Sequence, residues 1–168
     1  MKSSKLTLRE VVLFGVLGAL TFALKMCMAV LPNIEPVSLL LLVFGAVFGI
    51  KALYPTYIYV TLEILYWGLG TWSINYLYTW PILVVAAILM KNVDSPWVWA
   101  MASAVFGLMY GALCGIVDVF IGGVPYAISK WVSGIPFDIA HCVGNFVMAL
   151  LLFVPLRKLM TRLNNKLG

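Results

Sequence analysis

The sequence predicts an all-α fold: an integral membrane bundle of six transmembrane helices with both the N- and C-termini cytoplasmic. Three observations carry that expectation. Of 168 residues, 64% are hydrophobic and only 10% are charged, against about 25% charged in an ordinary soluble domain. The mean hydropathy of +1.06 implies more apolar surface than one small core can bury. The net charge of +5 comes from basic residues gathered mostly at the two ends, a pattern that orients a membrane protein.

One crossing takes about 20 mostly apolar residues, so a chain of this length holds five to seven crossings and little else. Backbone in lipid must satisfy its own hydrogen bonds, which leaves helices or a closed barrel. The apolar runs here are continuous and do not alternate, which favours helices over a barrel.

Prolines, glycines and charges divide the chain. A first helix is expected over Leu8–Leu31, capped by Thr7 or Ser4 and stopped at Pro32-Asn33. A second, short for a crossing, covers Val37–Ile50 and ends at Lys51. The third runs over Leu53–Leu69 with Pro55 in its first turn, where proline is tolerated, and breaks at Gly70-Thr71. The fourth covers Tyr76–Met90, and a polar linker from Lys91 to Pro96 follows. The fifth covers Trp97–Ile121 and ends at Gly122-Gly123. A loop holding Pro125 and Pro136 leads into the sixth, Phe137–Leu163. With no repeat and no linker to a second unit, residues 1–168 read as one transmembrane domain. The N-terminal apolar run lacks the cleavage site of a secretory signal, so it reads as a retained helix.

Lys2, Lys5 and Arg9 flank the start, and Arg157, Lys158, Arg162 and Lys166 flank the end. Both ends are therefore expected inside, which requires an even number of crossings and places Lys51 and Lys91 inside as well. The protein reads as a multi-pass protein of the cell membrane, in contact with lipid and with no nucleic-acid partner.

With that topology the intramembrane polar groups fall in the outer half. They are Asn33 and Glu35 before the second helix, Lys25, Glu63, Asp118 and Lys130, and then Asp138, His141 and Asn145. The last three are spaced three and four apart and share one helical face. Trp67, Trp72, Tyr76 and Trp131 fall at the same level. Charge inside a membrane is costly and usually faces a cavity or a partner, and a concave aromatic site with a few polar groups suits a small organic ligand. Plainer readings stand beside this one. Tryptophan and tyrosine form interfacial belts, Asp138 suits a helix N-terminus, and Lys25 either snorkels outwards or pairs with Glu63.

Small residues recur every four positions at Gly15, Ala19 and Ala23 and again at Ser103, Gly107, Gly111 and Gly115. Such spacing lets helices approach closely. Internal packing is the expectation for the second stripe; for the first, packing and docking to a partner protein stand level. The chain has no phosphate-binding loop, no metalloprotease or hydrolase motif and no paired cysteines. Cys27, Cys114 and Cys142 read as free thiols. Neither a metal site nor an enzyme is expected; among possible catalytic pairs only Glu63 with His141 could serve.

The segment Leu31-Pro32-Asn33-Ile34-Glu35-Pro36, the closing run Gly134-Ile135-Pro136-Phe137-Asp138-Ile139-Ala140-His141-Cys142-Val143-Gly144-Asn145 and the Ala19-xxx-Ala23 pattern resemble the substrate-binding S component of energy-coupling factor (ECF) vitamin transporters. The resemblance covers most of the chain. It implies a membrane subunit that captures a vitamin or related micronutrient from outside. It also implies delivery to a shared transmembrane subunit with two ATPases, an assembly of the ABC transporter class. On that reading Gly15, Ala19 and Ala23 form the docking face, the partners consume the ATP, and this chain binds no cofactor. Thiamine-, cobalamin-, pyridoxine- and queuosine-like cargoes all remain open, with a neutral or cationic one preferred by the excess of acidic groups. The competing reading is a small stand-alone membrane enzyme or a channel.

Overall fold

The computed structural model describes residues 6–31 and 34–166. Every element among them is helical: α1 (Leu8–Cys27), α2 (Val37–Phe48), a 3-10 turn (Gly49–Ala52), α3 (Leu53–Trp67), α4 (Thr71–Leu89) and α5 (Pro96–Asn165). Four helical runs are long and apolar enough to cross a membrane: Leu8–Cys27, Val37–Trp67, Thr71–Leu89 and Pro96–Asn165.

Thr7 caps α1. Its hydroxyl accepts from the Glu10 N–H at 3.2 Å and its own N–H donates to the Glu10 carboxylate at 2.9 Å. The two reciprocal bonds satisfy orphan donors of the first turn. The expected extension to Leu31 does not hold. The helix ends at Cys27, where the Met28 N–H turns back onto the Leu24 and Lys25 carbonyls, and residues 28–31 leave the helix axis.

Two glycines reverse the chain. Gly49 takes φ 59° and Gly123 takes φ 80°, a left-handed region that costs glycine nothing and other residues a steric clash. At Gly49 the path turns from α2 into α3. The Ser38 end of α2 lies beside His141, its Phe48 end lies against Phe14, and α3 then climbs back alongside α1. Glu10 meets Lys51, Phe14 meets Tyr54 and Lys25 meets Glu63, so α1 and α3 run parallel.

α5 spans 70 residues but is not a straight rod. Asp118 pairs with Lys130, Gly111 with Asp138 and Ser103 with Asn145. Each step down one limb is matched by a step up the other, which is the register of an antiparallel hairpin folded at Gly123. The loop expected over 124–136 is therefore corrected, because these residues are helical. Pro125 falls in the first turn after the break, where an N–H has no partner to lose. Pro136 removes one internal bond, a defect that helices packed in a membrane accommodate. The fourth helix likewise begins at Thr71 and not Tyr76, because the Gly70 N–H donates to the Ser73 hydroxyl at 3.1 Å and starts the turn early.

α2 is the centre of the bundle. Val37, Leu41, Leu42 and Val43 are fully enclosed, with α4 and α5 packed on it. Three of the four residues of the second stripe pack internally: Ser103 is buried, and Gly107 and Gly111 face the backbone of His141 and the side chain of Asp138, while nothing lies within 4 Å of where a Gly115 side chain would begin. The first stripe does not. Ala19 and Ala23 are exposed and nothing lies within 4 Å of where a Gly15 side chain would begin, while the buried face of α1 is Phe14, Leu17, Gly18 and Thr21.

Opposite the Glu63 end, Arg157 ties the α4–α5 linker to α5. Its guanidinium donates to the Lys91 carbonyl at 2.6 Å and the Val93 carbonyl at 2.9 Å, and lies over the Trp99 ring. Replacing Arg157 with alanine is expected to cost about 2 kcal/mol, the usual value for bonds to a charged group. A lowered melting midpoint in detergent checks this. Arg157→Lys is expected to recover only part, since an ammonium cannot reproduce the fork.

Candidate ligand-binding site

The site begins with an ion pair that the parallel packing of α1 and α3 creates. Lys25, in the last turn of α1, donates to Glu63 Oε2 at 2.6 Å and to the Tyr76 hydroxyl at 3.1 Å. Its ammonium also lies 5.3 Å from the Tyr76 ring centre and 5.9 Å from that of Tyr59, within cation–π range. Glu63 is 1% exposed. A charge buried so completely is tolerable only when paired.

Around this pair stands an aromatic wall. Tyr76 stacks on Tyr59 and meets Trp80 and Trp72 edge to face, and Trp80 extends the wall to Phe106 and Tyr110. Tyr110 in turn packs edge-on against His141 at 5.2 Å. The His141 Nε2 lies 3.4 Å from the Ser38 hydroxyl.

A cavity of about 240 Å³ opens among these groups. Its polar lining is Lys25, Glu35, Tyr76, Tyr110 and His141. Met28, Ala29, Leu31 and Ile34, from the connection between α1 and α2, close its apolar side. Burial pushes the Glu35 carboxyl up to about 7, against the opposing pull of Lys25 and with the help of Glu63. A larger groove of about 550 Å³ runs along Ile50, Tyr54, Tyr57 and Ile58. It faces outwards, and most of its polar groups are already engaged: Lys51 pairs with Glu10, and the Thr61 and Tyr57 hydroxyls donate to backbone carbonyls, so the smaller cavity is the better candidate for specific recognition.

Several buried polar atoms have no hydrogen-bond partner among the described residues: Tyr59 OH, Glu63 Oε1, Trp80 Nε1, Ser103 Oγ, Asp138 Oδ2 and Asn145 Oδ1. Orphaned atoms of this kind are scarce in native interiors, and those of Tyr59, Glu63 and Trp80 belong to the ion pair and the rings around Tyr76.

Of the expected site residues, Glu35, Tyr76 and His141 line the cavity, Glu63 stands behind Lys25, and Trp72 borders Tyr76. Asn145 lies one turn beyond His141 and donates to the Ser103 carbonyl at 3.1 Å. The others are elsewhere. Asp118 pairs with Lys130 at 2.7 Å beside the Gly123 turn. Asp138 accepts from the Gly111 N–H at 3.0 Å; it sits within a helical limb, so the reading of it as a helix-start carboxylate is corrected. Trp67 and Trp131 are exposed on the outside of the bundle, and Asn33 lies outside the described residues. Tyr110 and Tyr59 were absent from the expected set; Lys25, expected either to snorkel or to pair with Glu63, makes the pair. Tyr110 carries no signal in sequence beyond being one aromatic in an apolar run; only the hairpin register of α5 brings it level with His141.

Glu63 is held by Lys25 and His141 faces Ser38, so the one candidate catalytic pair does not meet. Among the described residues no group of three potential ligands could hold a metal, and Cys27, Cys114 and Cys142 are free thiols. The arrangement is suited to enclosing a small molecule between aromatic faces and fixing it with a few polar contacts. Compared with known proteins, the chain matches no family model, no curated protein and no solved structure.

Proposed function

We propose that the chain is a six-crossing membrane protein, with both ends cytoplasmic, that captures a vitamin-like micronutrient from outside and passes it to a partner module. This is the role of the S component of an ECF-type importer. Four apolar helical runs, two of which turn back at Gly49 and at Gly123, support the count of six. Lys51, Lys91, Arg157, Lys158 and Arg162 gathering at the end away from the cavity support the orientation.

One observation carries the capture reading: the converging polar and aromatic side chains enclose a cavity at the single end of the bundle that lacks this basic cluster. The Gly15, Ala19 and Ala23 stripe on α1 supports the need for a partner, because Ala19 and Ala23 are exposed and nothing lies within 4 Å of where a Gly15 side chain would begin.

The test compares binding with uptake. Ala19→Trp is expected to leave ligand affinity unchanged while abolishing accumulation of the labelled micronutrient in cells that supply the shared transmembrane subunit and its two ATPases. Normal uptake by Ala19→Trp would refute the docking face. Ion flux through the isolated chain in liposomes, without ligand binding, would favour the channel reading instead.

A further inference from the structure

The charge arrangement of the cavity narrows what can occupy it. Lys25 is already neutralised by Glu63 at 2.6 Å and solvated by the Tyr76 hydroxyl. An ammonium has three donors, so one N–H of Lys25 is left for a ligand acceptor. Glu35 lines the same space, and among the described residues no hydrogen bond reaches its carboxylate. When Glu35 is ionised, the Lys25–Glu63–Glu35 group carries one uncompensated negative charge. The walls are Tyr76, Tyr110 and His141, flat rings that favour a flat or cationic guest. A volume of about 240 Å³ suits a one- or two-ring molecule.

We infer that the occupant is a compact heteroaromatic monocation, its positive edge on Glu35, its ring between Tyr76, Tyr110 and His141, and an acceptor on the free Lys25 donor. This rests on the capture reading above and would turn its open list of cargoes into one chemical class.

Three probes of one shape test it: 1-methylnicotinamide (a permanent cation), 3-methylbenzamide (neutral) and 3-methylbenzoate (an anion). Each is titrated into the purified full chain, with tryptophan fluorescence as the readout. The cation is expected to bind at least about tenfold more tightly than either isostere, and Glu35→Gln to remove that preference, as loss of one desolvated charge contact requires. The wild type supplies an independent readout should Glu35→Gln fail to fold. The probe's charge is fixed, so only the protein titrates. Lys25, Tyr76, Tyr110 and His141 line the cavity with Glu35, and Glu63 acts on it from behind Lys25. Ionising Glu35, whose carboxyl stands at about 7, favours a cation. Affinity should therefore rise roughly tenfold from pH 6 to pH 8. Any protonation of His141 acts with the same sign, and the Glu35→Gln profile separates the two.

Equal or tighter binding of the neutral or anionic probe, or a flat pH profile, overturns the inference and leaves the capture reading standing. So does failure of all three probes when a larger micronutrient binds tightly. Failure of every probe and every micronutrient overturns both.

Discussion

Replacing Glu63 with glutamine is expected to weaken ligand capture by about a hundredfold and to destabilise the bundle by about 3 kcal/mol, the lower end of the cost of breaking a buried ion pair. The carboxylate is 1% exposed while the Lys25 side chain keeps 19% of its surface, so the stranded ammonium retains some access to water, and the lower end applies. Glutamine still offers an oxygen, but it does not neutralise Lys25. The cation that organises Tyr76 and Tyr59 is then left to swing towards solvent, and the aromatic wall loses its anchor. Glu63→Asp keeps the charge on a shorter arm and should recover part of both losses. Thermal unfolding in detergent reads the stability, and a fluorescence titration reads the capture. Wild-type values for Glu63→Gln in both would show that the pair is incidental to the site.

The second large effect is expected at Gly107. A side chain there would begin 2.9 Å from the His141 carbonyl carbon and oxygen and from the Cys142 nitrogen. These are backbone atoms of the facing limb and cannot rotate away. Gly107→Val should therefore cost about 3 kcal/mol, the upper range for overpacking, and should abolish capture by pushing His141 off the cavity wall. Gly115, on the same stripe two turns on, has nothing within 4 Å of its missing side chain. Gly115→Ala should be neutral or slightly stabilising, by at most about 1 kcal/mol. Equal effects at the two positions, measured by unfolding midpoint, would contradict the hairpin register.

Much of the helical character is readable from the linear chain. Apolar runs mark the helices, and Thr7 with Glu10 spells the first cap. Gly123 is readable as a break, but the helical stretch beyond it is not. Pro125 and Pro136 look like loop residues, because in water an interior proline is costly. In a packed hairpin Pro125 falls where no bond is lost, and Pro136, on the exposed face of its limb, interrupts only one bond of a long helix. The same limit applies to the site. His141 and Asn145 are visible as a polar face at helical spacing. Lys25 and Glu63 are 38 residues apart; their shared depth makes the pair one of two readings of Lys25, and only the parallel run of α1 and α3 decides between them. Asp118 and Lys130 look like site residues for the same reason. Their depth is legible, but their pairing beside a tight turn is not.

The central claim is that this chain, alone, encloses a small molecule at the end remote from its basic cluster. Equilibrium titration of the purified protein with a panel of micronutrients, followed by tryptophan fluorescence, tests it directly. Trp80 and Trp72 pack against the cavity-lining Tyr76, so occupancy should change their emission. The expected result is saturable one-to-one binding of one compound without turnover, lost in Glu63→Gln and retained in Ala19→Trp. Absence of saturable binding across the panel, with the protein folded and monodisperse, would contradict the account.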